Sequence, residues 1–329
     1  MLGSHRVLAG AGGVLQLDPV ILFFLLGFGA GLLRAEMRLP SAVYELLTVI
    51  LLLSIGLKGG VELAEADLLQ ILPRLGTVLI MGIVLGLLAF GLLRLSRALP
   101  RSDAAAIAAH YGSVSVGTYA VAVAFLDTVG VAYEAYSAAF VVVLEVPAIL
   151  LGIILVRGLR PQNGWSDVLH EVFLGKGVVL LLGGLVIGLL VGRQGISDLE
   201  PLFIDAFKGF LALFLLEMGL VAASQSGAIR RHGTFLLLFA LGFPLLGAVV
   251  GAVFAWLMAM SLGGALLLAV LGASASYIAA PAAMRLSVPE ANPGLSLTAS
   301  LAITFPFNVL VGVPLYYAVL SAVYPGAGG

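Results

Sequence analysis

A chain of 329 residues that is 61% hydrophobic and only 10% charged is not a soluble domain, since soluble domains carry about 25% charged residues. Its mean hydropathy of +1.17 agrees. A formal net charge of −1 argues against nucleic acid as a partner, and the lack of cysteine excludes disulfides, thiol catalysis and cysteine metal sites.

A membrane-spanning helix needs about 20 predominantly apolar residues. After a tail at 1–17, a poor signal peptide, the first five expected spans fall at 18–34, 40–57, 71–95, 103–126 and 132–156. A polar linker, 157–173, separates them from spans at 174–192, 202–223, 233–258, 262–284 and 294–323, with a tail at 324–329. The expected class is therefore an all-α polytopic membrane protein of ten helices, organised as 18–156 and 174–323.

Assigning alternate loops to opposite sides puts Arg34, Arg38, Arg94, Arg97, Arg101, Arg157, Arg160, Lys176, Arg230, Arg231 and Arg285 together, eleven of the sixteen basic residues. By the positive-inside rule that side is cytoplasmic, which places both termini outside. The expected setting is the inner (plasma) membrane of a prokaryote.

The halves repeat. Leu52–Leu57 resembles Leu215–Leu220, Gly31-Leu32-Leu33 resembles Gly188-Leu189-Leu190, and Ser113 and Ser115 lie 161 positions before Ser274 and Ser276. Five spans per repeat is an odd number, so the second repeat enters the membrane inverted. Inverted repeats with sites near the midplane are a secondary-transporter plan.

Two small, hydroxyl-rich stretches interrupt spans four and nine: Gly112-Ser113-Val114-Ser115-Val116-Gly117-Thr118-Tyr119 and Gly272-Ala273-Ser274-Ala275-Ser276-Tyr277-Ile278-Ala279-Ala280-Pro281. A broken helix at membrane depth is tolerated where it lines a cavity or faces protein. Half-helix N-termini attract anions, hydroxyls donate to anions or accept around a small cation, and glycine lets the backbone approach closely. The candidate substrate-binding residues are thus Gly112, Ser113, Ser115, Gly117, Thr118, Ser274, Ala275, Ser276 and Tyr277. The competing interpretation is ordinary small-residue helix packing; the matched repeat positions and Pro281 favour a site.

Intramembrane carboxylates are functional candidates. Glu145, two residues before Pro147, is a candidate cation ligand or proton carrier, whereas Glu217 serves equally well as a helix–helix contact. Ser115, Ser276 and the Asn308 amide are further ion-coupling candidates, although Asn308 taken alone is better explained by a helix–helix hydrogen bond. Glu45 and His110 are expected near solvent at helix ends. No cofactor is implied beyond a coupling ion, and no GxSxG, HExxH or Walker pattern points to an enzyme.

Taken together, Leu53–Gly60, Gly112–Thr118, Tyr133–Tyr136, Glu145-Val146-Pro147-Ala148, Ala273–Pro281 and Val288–Pro293 resemble the sodium-dependent bicarbonate transporter family of the cyanobacterial SbtA type over nearly the whole chain. The resemblance implies two inverted five-helix repeats, with a core of spans three to five and eight to ten. Spans one, two, six and seven would form a gate past which that core moves in an elevator-like cycle. It also implies a homotrimer, bicarbonate and sodium as cargo, and a small regulatory signalling protein on the cytoplasmic face, although the Arg157–Lys176 linker is short. Ser115, Thr118, Ser274 and Ser276 match the family's hydroxyl positions. The chain departs from the pattern at Tyr277, where an aspartate is expected, and at Ala275, Ala279, Ala280, Val116, Gly117 and Glu145.

The expected function is sodium-coupled bicarbonate symport by alternating access. The alternatives are another small anion or carboxylate, proton-coupled through Glu145, a membrane-embedded enzyme, and a passive channel. The last would need a continuous polar stripe rather than two mirrored breaks.

Overall fold

The computed structural model describes residues 18–35, 37, 39–158, 166, 169–170, 173–225 and 233–324. The expected tail at 1–17, most of the linker 157–173 and residues 325–329 lie outside them. The described residues hold no strands, and their main helices are α1 (Pro19–Leu32), α2 (Ser41–Glu65), α3 (Leu68–Leu95), α4 (Arg101–Gly112), α5 (Val116–Val129), α6 (Ala138–Arg157), α7 (Lys176–Ile196), α8 (Phe207–Ser224), α9 (Gly233–Leu257), α10 (Leu262–Ala273), α11 (Ala279–Ser287) and α12 (Pro293–Val323).

Local chemistry sets several boundaries. Asp18 caps α1 by accepting the Val20 N–H at 3.0 Å, with Pro19 in the first turn. Asp67 does the same for α3 through Leu69 at 3.0 Å. Gly130 ends α5 at φ 70°, a left-handed conformation that suits glycine. Ser261 caps α10, and the Glu134 carboxylate fixes that serine through its N–H and its hydroxyl, both at 2.8 Å.

Among the described residues, eight helical stretches are long and apolar enough to cross a membrane by length and composition, including Arg101–Val129, which contains the first break, and Pro293–Val323. Two apolar helices are shorter, Pro19–Leu32 and Leu262–Ala273. At 1.5 Å per residue, α1 spans about 21 Å, short of a ~30 Å hydrocarbon layer. Exposed leucines such as Leu26, Leu190 and Leu238, together with Trp256, give the outer surface an apolar character suited to lipid.

Glycines set the closest helix crossings. Gly27 and Gly31 of α1 press on Leu216 and Ala223 of α8, while Gly219 presses back on Phe24 and Phe28. Gly56 and Gly60 of α2 meet α7 at Leu181 and Leu185, and Gly184 and Gly188 meet α2 in return. Side chains at these positions would collide with backbone, so the sequence is fixed by helix approach. Elsewhere, α3 packs on α4 through Gly86 and Gly112, and α9 packs on α10 through Gly247 and Gly272. The two breaks lie at Ser113–Ser115 and Ser274–Ile278; all of their residues except the exposed Ile278 are buried among these helices.

Candidate functional site

The two breaks begin alike. Ser113 follows α4 with φ −85° and ψ −174°, and Ser274 follows α10 with φ −88° and ψ 169°. Both serines are completely buried. Extended backbone there turns each chain sideways, and the two extended segments are then stitched together. The Ser115 N–H donates to Ser274 Oγ at 3.0 Å, and the Ser276 N–H donates to the His110 carbonyl at 2.8 Å. Asn308 on α12 donates through Nδ2 to the Ala273 carbonyl at 2.8 Å, and its Oδ1 accepts from the Tyr316 hydroxyl at 2.9 Å. Around Asn308 the helix widens into π-type turns over Thr298–Thr304 and Asn308–Gly312, a device common beside functional sites.

A hydroxyl has one proton to donate and two lone pairs, so the local bonds sort these side chains. Ser274 donates to the Leu271 carbonyl at 2.9 Å, and Thr118 donates to Ser115 Oγ at 2.9 Å. Ser115 accepts that bond and the Thr118 N–H at 3.0 Å; Ser276 accepts the Ala280 N–H at 3.2 Å. Ser113 Oγ has no protein partner. Ser113 and Ser276 therefore keep their protons available to an anion, Ser115 has the Tyr277 hydroxyl as a neighbour, and Ser274 and Thr118 hold the scaffold. Both half-helices α5 and α11 also begin here, where first-turn N–H groups lack helical acceptors.

The remaining candidates have definite places. Gly112 serves contact with Gly86, 2.9 Å from a Cβ built on it. A Cβ on Gly117 would strike the Tyr277 hydroxyl, with the Phe214 ring 3.0 Å away. Ala275 is buried. The Tyr277 ring stands edge-on to Phe305 at 5.3 Å and 72°. Val116, Gly117, Phe214 and Ile278 help line a cavity of only about 20 Å³ beside the breaks, room for roughly one water. Phe214 and the Tyr277 hydroxyl stand over Gly117.

Glu145 is 3% exposed, its Oε2 has no partner, and its Oε1 lies 3.6 Å from a Cβ built on Gly177, in the first turn of α7. It thus sits between α6 and α7 rather than within the stitched breaks. Glu217 accepts the Leu39 N–H at 3.3 Å, a bond between elements. Glu45 is exposed and pairs with Lys176 at 3.3 Å. His110 corrects the expectation of solvent contact: it is 2% exposed, because the alanines from Ala104 to Ala109 let neighbouring helices close over α4.

Sequence reasoning passed over a second cavity, of about 80 Å³, between α2, α5 and the chain before α8. Ser54, Lys58, Tyr119, Asp127 and Tyr133 line it; Lys58 donates to the Tyr133 hydroxyl, and Ser54 Oγ has no partner. A lone lysine late in an apolar helix was the available signal. Among the described residues no group of three or more His, Asp or Glu side chains converges as a metal site, so a cation at the breaks would rely on hydroxyl and backbone oxygens, the ligands hard cations take.

No curated protein matches the chain. Residues 19–321, by contrast, match the family described as the Na+-dependent bicarbonate transporter superfamily, and the chain belongs to that superfamily.

Proposed function

We propose that the chain is a secondary active transporter that imports bicarbonate with sodium by alternating access. The observation that carries this reading is the pair of stitched breaks, which bring serine hydroxyls, the unpartnered Ser113 among them, and two half-helix N-termini to one buried region. Such a region suits a small oxyanion, with the oxygens of the break left for a small cation.

The packing supports ten spans in inverted repeats. Gly27 and Gly31 lie 157 positions before Gly184 and Gly188, and Gly56 and Gly60 lie 163 before Gly219 and Ala223. The α1–α8 crossing therefore uses the residues equivalent to those of the α7–α2 crossing, as a twofold axis in the membrane plane requires. In this reading α1, α2, α7 and α8 form the gate, and α3–α6 with α9–α12 form the core. The basic loops face the cytoplasm, both termini lie outside, and the assembly is a homotrimer with a cytoplasmic face open to a small regulatory protein.

A second reading, a different small anion or carboxylate coupled to protons, is favoured by Tyr277 in place of the family's aspartate and by the buried, unpartnered Glu145 Oε2. Uptake of labelled bicarbonate into proteoliposomes separates the two. Accumulation under an inward sodium gradient, absent with choline, is expected. Accumulation that follows a proton gradient alone would favour the second reading, and no accumulation under either would overturn bicarbonate as the cargo.

A further inference from the structure

A cavity of about 160 Å³ lies between α4, α11 and the start of α12, lined by His110, Arg285, Ala106, Met284 and Ser296 among others. His110 and Ser296 are its buried polar residues. The Nδ1 atom stands 2.7 Å from the Ala106 carbonyl oxygen. A carbonyl only accepts, so Nδ1 carries the proton and Nε2 of the neutral ring presents a lone pair. Nothing in the protein meets that Nε2, and a bare buried acceptor calls for a ligand or a water.

Arg285 supplies the opposite chemistry. It is exposed, stands in the last turn of α11, and makes no ion pair among the described residues. The nearby acidic groups are engaged elsewhere: Asp103, on the same side of α4, accepts the Asn292 N–H at 2.7 Å, and Glu290 pairs with Arg157 at 2.5 Å. A ligand meeting both His110 and Arg285 must donate one hydrogen bond and carry negative charge. A small oxyanion bearing one O–H does both, whereas nitrate has no proton for Nε2 and a cation would be repelled by Arg285. At about 10–15 Å³ of such cavity volume per water, there is room for a four-heavy-atom anion together with several waters.

We propose that this cavity is a second binding site, for a small hydroxyl-bearing oxyanion of the bicarbonate type. The inference rests on the transport reading for the identity of that anion. Because the His110 carbonyl also holds the Ser276 N–H, the ligand's partner and the second break meet on one residue. With Arg285 on the cytoplasmic side, the cavity is where the anion pauses between the breaks and the cytoplasm.

The test is an imidazole nitrogen NMR titration of purified protein carrying ¹⁵N-labelled histidine. The chain has four histidines, and His110→Gln identifies the signal. Bicarbonate at constant pH is expected to shift the His110 Nε2 resonance saturably, while nitrate leaves it in place. Arg285→Gln should raise the half-saturating concentration about tenfold, the scale of one lost charge-assisted contact. The combined variant Ser115→Ala/Ser276→Ala should keep the response. An unmoved His110 signal, an equal shift with nitrate, or no effect of the exposed Arg285→Gln change overturns the site. Failure of the transport reading looks different: vesicles that accumulate no bicarbonate while the His110 signal still responds.

Discussion

Two serines at the same depth, one stitched and one bare, give the sharpest prediction. Ser113 and Ser274 are both completely buried and occupy equivalent positions in the two breaks. Ser274→Ala removes the acceptor of the Ser115 N–H; the Leu271 carbonyl keeps the Ser274 N–H at 3.2 Å. One buried donor is therefore orphaned, at about 1–3 kcal/mol by the general scale. Hydrogen bonds between membrane helices measure about 0.6 kcal/mol on average and at most about 1.7. The ranges overlap at about 1–2 kcal/mol, and Ser274→Ala should destabilise the protein by that amount. Ser113→Ala removes a buried hydroxyl with no partner, so stability should not fall, yet bicarbonate uptake should fall at least tenfold, to the extent that one lost anion contact allows. Denaturant titration of the reconstituted protein, with uptake on the same preparations, measures both. Equal destabilisation by the two changes, or none by Ser274→Ala, would refute the assignment of scaffold and ligand roles.

Three further outcomes follow from other contacts. Gly56→Val places a side chain against Leu185 N at 3.0 Å and Gly184 Cα at 3.1 Å, so it should cost at least about 1–3 kcal/mol as an overpacked contact, whereas Gly29→Ala, with nothing within 4 Å, should leave unfolding unchanged. Tyr277→Phe keeps the ring on Phe305 but removes the hydroxyl above Gly117; if that oxygen replaces the family's aspartate near the ion, half-maximal uptake should need about tenfold more sodium, and an unaltered sodium dependence would remove Tyr277 from the ion site. Glu145→Gln should fold normally and change the ion or pH dependence of uptake; an unchanged dependence would leave Glu145 a structural neighbour of α7.

The breaks were legible because hydroxyls, glycines and a proline inside apolar runs conflict with an uninterrupted membrane helix. Their pairing was partly legible too, through the equal spacing of Ser113 and Ser115 with Ser274 and Ser276. What the residues could not show was which hydroxyl is spent on the scaffold, since that depends on contacts such as Ser115 to Ser274, 159 positions apart. Asn308 makes the helix–helix hydrogen bond expected of it taken alone, to Ala273, while its other end accepts from Tyr316. His110 was misjudged because its burial comes from the alanine face of α4 and from the helices that close over it. Phe214, a residue of α8 with no polar signal, covers Gly117.

The claim at the centre of this account is that anion and sodium occupy one site formed by both breaks. Equilibrium binding of labelled bicarbonate to the purified protein, in sodium and in choline, tests it most directly. Coupling between ligands is reciprocal and typically 5–150-fold, so sodium should tighten bicarbonate binding about tenfold or more, bicarbonate should tighten sodium binding by the same factor, and Ser115→Ala/Ser276→Ala should abolish the sodium-dependent component. Bicarbonate affinity that is identical in sodium and choline would contradict the shared site.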